Sequence, residues 1–241
     1  MERLVLKLSA IFQRGGSIIW LFPKRFIRIF KHLKYGVEQY SKGLTFRRFS
    51  FWFIELSMLI LDTLGIGEIY EIFQEIFKWN VRPLNSAEKR LAQQYFGNQL
   101  NINRIRVDEA AFIGPKQGRF AYVSFYTINS WNALRPDIFL HELVHIWQYE
   151  KYGITYMSRA LLAQKGKRKY NYGGLDMLKK LMTRNWKFKN FNPEHQAEIV
   201  QDHFRIKNNL PPIWGNANIN DLEVYEKYVE TLRKVRQPSP S

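Results

Sequence analysis

Residues 136–153 read PDIFLHELVHIWQYEKYG, and this stretch predicts a single helix that carries His141, Glu142 and His145. Residues four apart lie on the same face of a helix, so the two imidazoles can reach one ion at the distances that zinc prefers. Glu142 is rotated aside by one residue, where its carboxylate can take a proton from a water on the metal without binding the metal itself. The stretch therefore predicts a Zn²⁺ site with Glu142 as its general base.

A second acidic stretch supplies candidates for the third ligand. The chain has no cysteine, so a metal site must be built from His, Asp and Glu. Asn192 and Pro193 are typical of a helix start, and Glu194, Glu198 and Asp202 then follow at successive i+4 steps. Carboxylates at this spacing repel one another, which favours a cation facing the stripe over the alternative of a solvated acidic face. The third ligand is therefore expected on this stripe, with Glu194, Glu198 and Asp202 as alternatives.

Other polar residues near these motifs are weaker candidates for roles in the metal site. Gln148 lies one turn after His145 and is predicted near the metal face. His195 and His203 fall off the acidic stripe, so we do not expect either to bind the metal. Tyr170 and Tyr172, between the two motifs, are candidate donors to an oxyanion, and the alternative for them is an ordinary surface loop.

The order and spacing of these residues resemble those of the gluzincin class of zinc metallopeptidases over roughly residues 80–208. Two motifs carry the resemblance: His141-Glu142-x-x-His145-x-x-Gln148 and Glu194-x-x-Ala197-Glu198. The resemblance implies that Glu194 is the third zinc ligand and that Glu198 orients a ligand histidine. Glu198 stands where the family more often has Asp, and Glu198 with Asp202 also forms a Glu-x-x-x-Asp pattern, so either glutamate could bind zinc.

What the resemblance implies for function is hydrolysis of a peptide or protein substrate by a metal-activated water. It also implies that a strand at residues 120–128 aligns the substrate backbone along a sheet edge. The alternative is a zinc-binding module without catalysis, acting as an accessory or assembly part of a secretion or phage-tail-like system, or at a membrane surface. A structural zinc would need a fourth protein ligand, and the chain has only five histidines.

The remaining pattern predicts an α+β fold: a zincin-like core with a small sheet and the histidine helix, preceded by an α-helical N-terminal region. Weak strand signals occur at residues 102–107 and 120–128, with Gly114, Pro115 and Gly118 marking a turn between them. Helices are predicted at residues 87–96, capped by Asn85 or Ser86, and at residues 138–152, with Asp137 as N-cap and Gly153 just past the end. We divide the chain into a helical region at 1–80, a metallopeptidase-like domain at 81–236 and a disordered tail at 237–241.

The N-terminal region concentrates the positive charge of the chain. Residues 1–50 hold eleven Lys or Arg against two Glu, a net charge of +9 out of +16 overall. Aromatic and aliphatic side chains recur there at helical spacing: Phe22, Phe26, Ile29, Phe30 and Leu33. This pattern predicts either a helix that docks on an anionic membrane surface or an ordinary helix that packs its apolar stripe on its own domain. No nucleic-acid-binding motif accompanies the charge, so we do not expect a nucleic-acid partner.

Membrane crossing is not expected from the sequence. The longest apolar stretch, residues 51–66, is short for a span and contains Glu55 and Asp62, which favours a buried or interfacial helix. Residues 50–79 as a whole are helical in pattern, with a break at Gly65 and Gly67. Lys7 and Arg14 interrupt the first apolar stretches, so we expect no secretory signal and a cytoplasmic protein, peripheral to a membrane.

Overall fold

The computed structural model describes residues 2–41, 43, 45–78, 80–112, 114–118, 120–165 and 169–233, so the tail predicted at 237–241 lies outside the described residues. The fold is α+β, with a helical N-terminal region and one small mixed sheet, as the sequence predicts. The chain divides into two compact units: Met1–Val81 with Lys151–Ser158, and Arg82–Glu150 with Arg159–Ser241.

The first unit contains three helices: α1 (Glu2–Tyr40), α2 (Phe46–Thr63) and α3 (Ile66–Phe77). The stripe predicted around residues 22–33 is thus part of one long helix that runs through Pro23. Ion pairs on both sides of Pro23, from Arg14 and from Arg25, hold the two halves of α1 against α3. The predicted break falls at Gly65, whose φ of 75° ends α2 and begins α3.

The second unit contains the sheet and the remaining helices. Its strands are β1 (Val81–Pro83, at the boundary of the units), β2 (Arg106–Asp108), β3 (Tyr122–Ser124) and β4 (Thr127–Asn129). Its helices are α4 (Ser86–Phe96), α5 (Pro115–Gly118), α6 (Pro136–Tyr152, which ends in the first unit), α7 (Thr155–Lys165, shared by both), α8 (Gly174–Thr183), α9 (Pro193–Lys207) and α10 (Leu222–Val229). Short 3₁₀ turns lie at Gly97–Gln99, Ile102–Arg104, Phe188–Asn190, Ile219–Asp221 and Glu230–Leu232.

The strands differ from the sequence prediction in three ways. Residues 102–107 begin with a 3₁₀ turn, and only the part from Arg106 is strand. Residues 120–128 do not form one strand but a hairpin of β3 and β4, because the chain reverses at Phe125, which adopts a left-handed φ of 58°. The buried ring of Phe125 packs edge-on against Tyr149 at 5.5 Å, and this packing stabilises the reversal. Between β2 and β3 lies the short helix α5 rather than a simple turn.

The sheet order is β1-β2-β4-β3, with β2 parallel to β4 and β3 antiparallel to β4. This order leaves β3 at an edge of the sheet. Helix α6 follows β4 closely and is buried on nearly all sides between Phe139 and Tyr149, which explains why its sequence lacks a clear polar face. Helix α9 packs against α10.

Candidate metal centre

Helix α6 positions the first two ligands. It begins at Pro136, with Asp137 in its first turn rather than at the N-cap, and places His141 and His145 one turn apart with their ring centroids 5.1 Å from each other. Both side chains are buried, as is Glu142 between them. The predicted sharing of one helical face is therefore present in the structure.

Helix α9 positions the third group. The side chain of Asn192 accepts a hydrogen bond from the backbone N–H of His195, so this helix begins at Pro193 as predicted. Its first turn places a carboxylate oxygen of Glu194 3.5 Å from Nε2 of His141 and 3.5 Å from Nε2 of His145. The ligand atoms of these three buried residues lie within 4.8 Å of one another, so the cluster could hold a metal ion.

Both histidine rings are held through their other nitrogen. Nδ1 of His141 lies 3.1 Å from the side-chain oxygen of Gln201, and Nδ1 of His145 lies 2.9 Å from that of Gln148. An amide oxygen only accepts hydrogen bonds, so each Nδ1 carries the proton and donates it. In the neutral rings, each Nε2 then has a lone pair directed toward Glu194. The neutral imidazole with a free lone pair is the form that binds a metal.

The two glutamines are themselves oriented by further contacts. The amide nitrogen of Gln148 donates to the backbone oxygen of Pro193 and to Gln196, and that of Gln201 donates to Asp137. Because these partners accept hydrogen bonds, each amide must turn its nitrogen toward them and its oxygen toward a histidine. Asp137 is in turn held by Arg205 at 2.8 Å.

The ionisation of the cluster favours a positive charge at its centre. Burial raises the pKa of Glu194, but the contacts and charges of His141 and His145 in their protonated form outweigh it and hold that pKa far below its usual range. Burial likewise lowers the pKa of His141, yet the hydrogen bond to Glu194 and the charges of Glu142 and Glu198 raise it to about 9. The pKa of His145 is also raised, again by Glu194 against the effect of burial. Carboxylate groups thus surround a point where protons, or a cation, are stabilised.

Glu142 lies beside the metal-binding cluster and keeps one carboxylate oxygen available. Burial raises its pKa above the usual 4.5, although the charges of His141 and His145 partly oppose this. Within the part of the chain that the structure describes, its Oε2 atom is buried and has no hydrogen-bond partner. A buried oxygen without a partner costs free energy, so this atom fits a water or substrate group that the protein alone does not supply.

Glu198 and Asp202, the other two carboxylates of the acidic stripe, are held by hydrogen bonds from residues 213 and 214. One oxygen of Glu198 accepts a hydrogen bond of 2.7 Å from the indole of Trp214, and the other lies 3.5 Å from Nδ1 of His141. Asp202 accepts hydrogen bonds from the backbone of Ile213 and Trp214. Only Glu194 faces the Nε2 atoms, so of the two glutamates left open by spacing, Glu194 has the position of a ligand. The alternative of a solvated acidic face is wrong, because all three carboxylates are buried.

Trp214 reaches Glu198 because the neighbouring backbone allows a close approach. Gly174 adopts a left-handed φ of 63°, and a Cβ atom placed on it would lie 2.9 Å from the backbone oxygen of Trp214. Glycine is therefore required there by both its conformation and its size.

The structure separates the two candidate tyrosines. Tyr170 is half-buried and lines the same cavity as His141 and Glu142. Burial, reinforced by nearby carboxylates, raises the pKa of Tyr170 to about 12, so its hydroxyl is protonated and can donate. Tyr172 does not have this position, because its buried hydroxyl donates to Asp202 at 2.6 Å and contacts Tyr225 at 3.1 Å. Tyr172 stabilises the support of the site and cannot reach an oxyanion.

Two further histidines near the motifs, His195 and His203, do not join the cluster. The ring of His203 contacts the hydroxyl of Tyr95 on one side and the carboxylate of Glu226 on the other. His195 does not belong to the cluster of described residues, His141, His145 and Glu194, that could hold a metal. Neither residue was expected to be a ligand.

A cavity of about 700 Å³ opens beside the cluster. Its lining includes His141 and Glu142 of the cluster, together with Lys116 and Trp131. The ammonium of Lys116 lies over the rings of Phe112 and Trp131, at 4.4 and 4.8 Å from their centroids. Among the described residues, the lining thus combines apolar and aromatic side chains with the cation of Lys116, and the cavity is large enough for several atoms of a ligand.

Three contributors to the site were not found from the sequence: Gln196, Gln201 and Trp214. Gln201 lies one turn after Glu198, as Gln148 lies one turn after His145, so the same spacing argument could have identified it. For Trp214, which lies beyond the end of α9, the sequence offers no periodic signal.

Comparison with known proteins gives a weak similarity. No family model matches the chain, and no solved structure matches it. The chain is similar to the type VI secretion system spike protein VgrG2b of Pseudomonas aeruginosa, with 24% identity over 152 residues. The alignment covers 58% of this chain but only 14% of the spike protein. The chain therefore spans a small part of that protein's length, and the similarity does not identify a family.

Proposed function

We propose that this protein is a zinc-dependent metallopeptidase. The observation that carries the proposal is the convergence of the two Nε2 atoms and the Glu194 carboxylate at 3.5 Å, next to the buried, unpartnered oxygen of Glu142. Two imidazoles and one carboxylate are a ligand set of catalytic zinc sites, in which a further position stays available for water or substrate. The described residues supply no fourth ligand that would close the site.

The chemistry expected from zinc at this position is polarisation of a carbonyl group and acidification of a water molecule. The protein's part is to hold the ligands in one protonation state, through Gln148 and Gln201, and so keep both Nε2 atoms available. Removing such supporting contacts from metal-binding histidines commonly weakens metal affinity by about 10- to 100-fold.

Glu142 is the proposed general base. Its carboxylate accepts a proton from the attacking water and later delivers it to the leaving amine, which requires an oxygen without competing partners. Burial raises its pKa, which brings the group closer to the pH at which it must both accept and release a proton.

Tyr170 is the proposed donor to the oxygen of the scissile carbonyl. Its hydroxyl is protonated at neutral pH and its side chain lines the cavity that contains Glu142. A donor placed where negative charge develops stabilises the transition state more than the ground state.

The proposed substrate is an extended peptide segment. Strand β3 lies at an edge of the sheet, and Phe120 and Ala121, just before it, line the cavity. A peptide that pairs with such an edge would extend toward the metal ligands, with its backbone fixed by main-chain hydrogen bonds.

The deciding experiment combines metal content with hydrolysis of a peptide library. We expect the purified protein to hold about one zinc per chain, His145→Ala to lose it, and Glu142→Gln to keep the metal but lose hydrolysis. Glu223→Gln is the matched control, since Glu223 is exposed and outside the site. A Glu142→Gln variant that hydrolyses peptides as fast as the parent would refute the assignment of the base.

A second candidate function is a zinc-binding accessory part of a secretion system, without catalysis. It is favoured by the similarity to the spike protein VgrG2b, whose name places it in a type VI secretion system. The two candidates differ in the metal's coordination: X-ray absorption on the zinc-loaded protein should find three protein ligands and an exchangeable water for an enzyme, and four protein ligands for a structural site.

A further inference from the structure

The three helices of the first unit, α1 to α3, turn their apolar side chains outward. Helix α3 exposes Ile66, Ile69, Phe73, Ile76 and Phe77, each by at least 39% of its surface. Helix α2 exposes Phe46, Phe49, Phe53, Ile54, Ile60 and Leu61, and α1 exposes, among others, Leu4, Val5, Leu8, Phe12, Ile19 and Trp20. Exposed apolar side chains on three helices form far more apolar surface than a water-facing helical unit normally carries.

The interior of the same unit is charged. The buried charged or polar side chains of these helices are Arg14, Arg25, His32, Glu55, Asp62, Thr63, Glu68, Glu71, Gln74 and Glu75. Among the described residues of the three helices, the fully buried apolar side chains are Ala10 and Leu59. The usual arrangement of a helical unit in water, apolar inside and charged outside, is thus reversed.

The interior charges are paired with one another. Arg14 contacts Glu71 and Glu75, and Arg25 lies 2.6 Å from Glu68 and 3.6 Å from Asp62. Arg28 adds a contact of 3.2 Å to Asp62, and His32 lies 3.8 Å from Glu55. Lys7 donates to the backbone oxygens of Glu75 and Lys78. Paired in this way, charged groups can be kept away from water, whereas an unpaired charge could not.

Among the described side chains of α1 to α3, the exposed charges are confined to one stretch. Between residues 49 and 77 every charged side chain is buried, and between residues 4 and 23 the charged groups are Lys7 and Arg14, which make the contacts above. Among the described side chains of α1 and α2, the exposed basic ones are Lys24, Lys31, Lys34 and Arg48. Residues 4–23 form twenty residues of helix, about 30 Å at 1.5 Å per residue, which is close to the thickness of a bilayer's hydrocarbon core.

No single helix among the described residues is both long and apolar enough to cross a membrane. The bent pair Arg48–Thr63 and Ile66–Phe77, with 56° between its halves, has the length and composition to do so. Hydropathy counts Arg14 of α1 and Glu55 and Asp62 of α2 against a span, although these side chains are buried and paired within the unit.

We propose that the first unit inserts into the hydrocarbon layer of a lipid bilayer. The apolar side chains of residues 4–23 and 49–77 contact acyl chains, the ion pairs lie shielded between the helices, and the basic stretch at residues 24–48 meets anionic headgroups. Lipid is the occupant that fits best, because all three helices expose apolar side chains, whereas a protein partner would cover one face. The alternative in which the Phe22–Leu33 stripe packs on its own domain is wrong for Phe22, Phe26, Phe30 and Leu33, which are exposed, whereas Ile29 is half-buried.

Single labels can test the depth of insertion, because the chain has no cysteine of its own. We would attach an environment-sensitive dye to Phe73→Cys, Lys31→Cys and Leu210→Cys of the full chain and add vesicles of phosphatidylcholine and phosphatidylglycerol with brominated acyl chains. We expect mid-chain bromine to quench the dye at position 73, only headgroup-proximal bromine to quench it at 31, and no quenching at 210, an exposed site in the second unit.

Two other outcomes would overturn the proposal. Binding that 1 M NaCl reverses, with no quenching at position 73, would mean docking on the surface only. A discrete oligomer that ignores vesicles, with the dye at 73 shielded from water, would mean that a second copy of the chain covers the apolar surface.

A charge variant provides a second measurement that does not depend on the dye. Ile69→Lys with Phe73→Lys changes two exposed positions, 52% and 59% exposed, so the unit's own packing does not require them. Two lysines in hydrocarbon should reduce partitioning into vesicles by about 100-fold or more. The matched control, Leu210→Lys with Ile219→Lys in the second unit, should leave partitioning unchanged, and equal loss in both variants would contradict the proposal.

Discussion

The side-chain oxygen of Gln148 lies 2.9 Å from Nδ1 of His145, and it fixes which nitrogen of that ring faces Glu194. The contact joins two residues of one helix, yet its direction is set by Pro193 and Gln196 on another helix, which accept the amide protons. The readiness of the site for a metal thus depends on groups that never contact the metal.

Replacing Gln148 should therefore weaken metal binding. We expect Gln148→Leu to lower zinc affinity by about 10- to 100-fold, because Nδ1 loses its acceptor and the ring loses its fixed orientation. Gln148→Glu, which keeps an accepting oxygen, should restore part of the affinity. Competition with a chelator measures both, with Gln94→Leu on the exposed face of α4 as control. Equal affinities for the Leu variant and the parent would contradict this role.

Neutralising either glutamate of α9 should lower zinc affinity, but to very different degrees. Glu194→Gln removes a ligand carboxylate and should lower zinc affinity by more than about 100-fold, whereas Glu198→Gln should stay within about 10-fold of the parent. The glutamine at 198 can still accept the indole hydrogen bond of Trp214. Metal titration of both variants at one pH decides the matter, and the reverse order would make Glu198 the ligand.

Replacing the two tyrosines should have different effects, on catalysis for Tyr170 and on stability for Tyr172. Tyr170→Phe should reduce kcat by about 100-fold with little change in KM or in the free energy of unfolding, because it removes one oxyanion donor. Tyr172→Phe should instead lower the free energy of unfolding by about 1 kcal/mol, because Asp202 loses a buried hydrogen bond. Peptide hydrolysis and urea unfolding of both variants test the pair, and a Tyr170→Phe enzyme with unchanged kcat would exclude the donor role.

Asp137 should make stability depend on pH in acid. Burial raises the pKa of Asp137, but hydrogen bonds from Arg205 and Gln201 and the charge of Arg135 lower it below its usual 3.8. The folded protein thus holds this proton more weakly than the unfolded chain does. The contribution to stability is complete above the unfolded value and is lost as the pH falls below it.

Urea unfolding between pH 6 and pH 3 measures this effect. The parent should lose more free energy of unfolding over the range than Asp137→Asn, in which position 137 no longer titrates. Asp176→Asn, at an exposed position of α8, should behave as the parent does. Parallel pH profiles for the parent and Asp137→Asn would show that Asp137 does not titrate differently on folding.

Local features of the fold were readable from the sequence. Asn85 caps α4 and Asn192 caps α9, because a cap depends on a few neighbouring residues and their side-chain chemistry. The α+β class and the helical N-terminal region follow from periodicity. The hairpin at Phe125 was missed because a left-handed aromatic residue is held by tertiary packing against Tyr149.

The sequence by itself determined the pair His141 and His145 with Glu142 between them, because helical spacing alone brings such residues to one face. Only the tertiary structure decided that Glu194 rather than Glu198 faces the Nε2 atoms, since both lie on one stripe of α9 and only packing selects the turn nearest α6. It also decided that the charges of α3, and those of Arg14 and Arg25 in α1, face inward. Periodicity reveals that a helix has two faces, but which face is buried depends on what the neighbouring helices offer, and here they offer ion pairs.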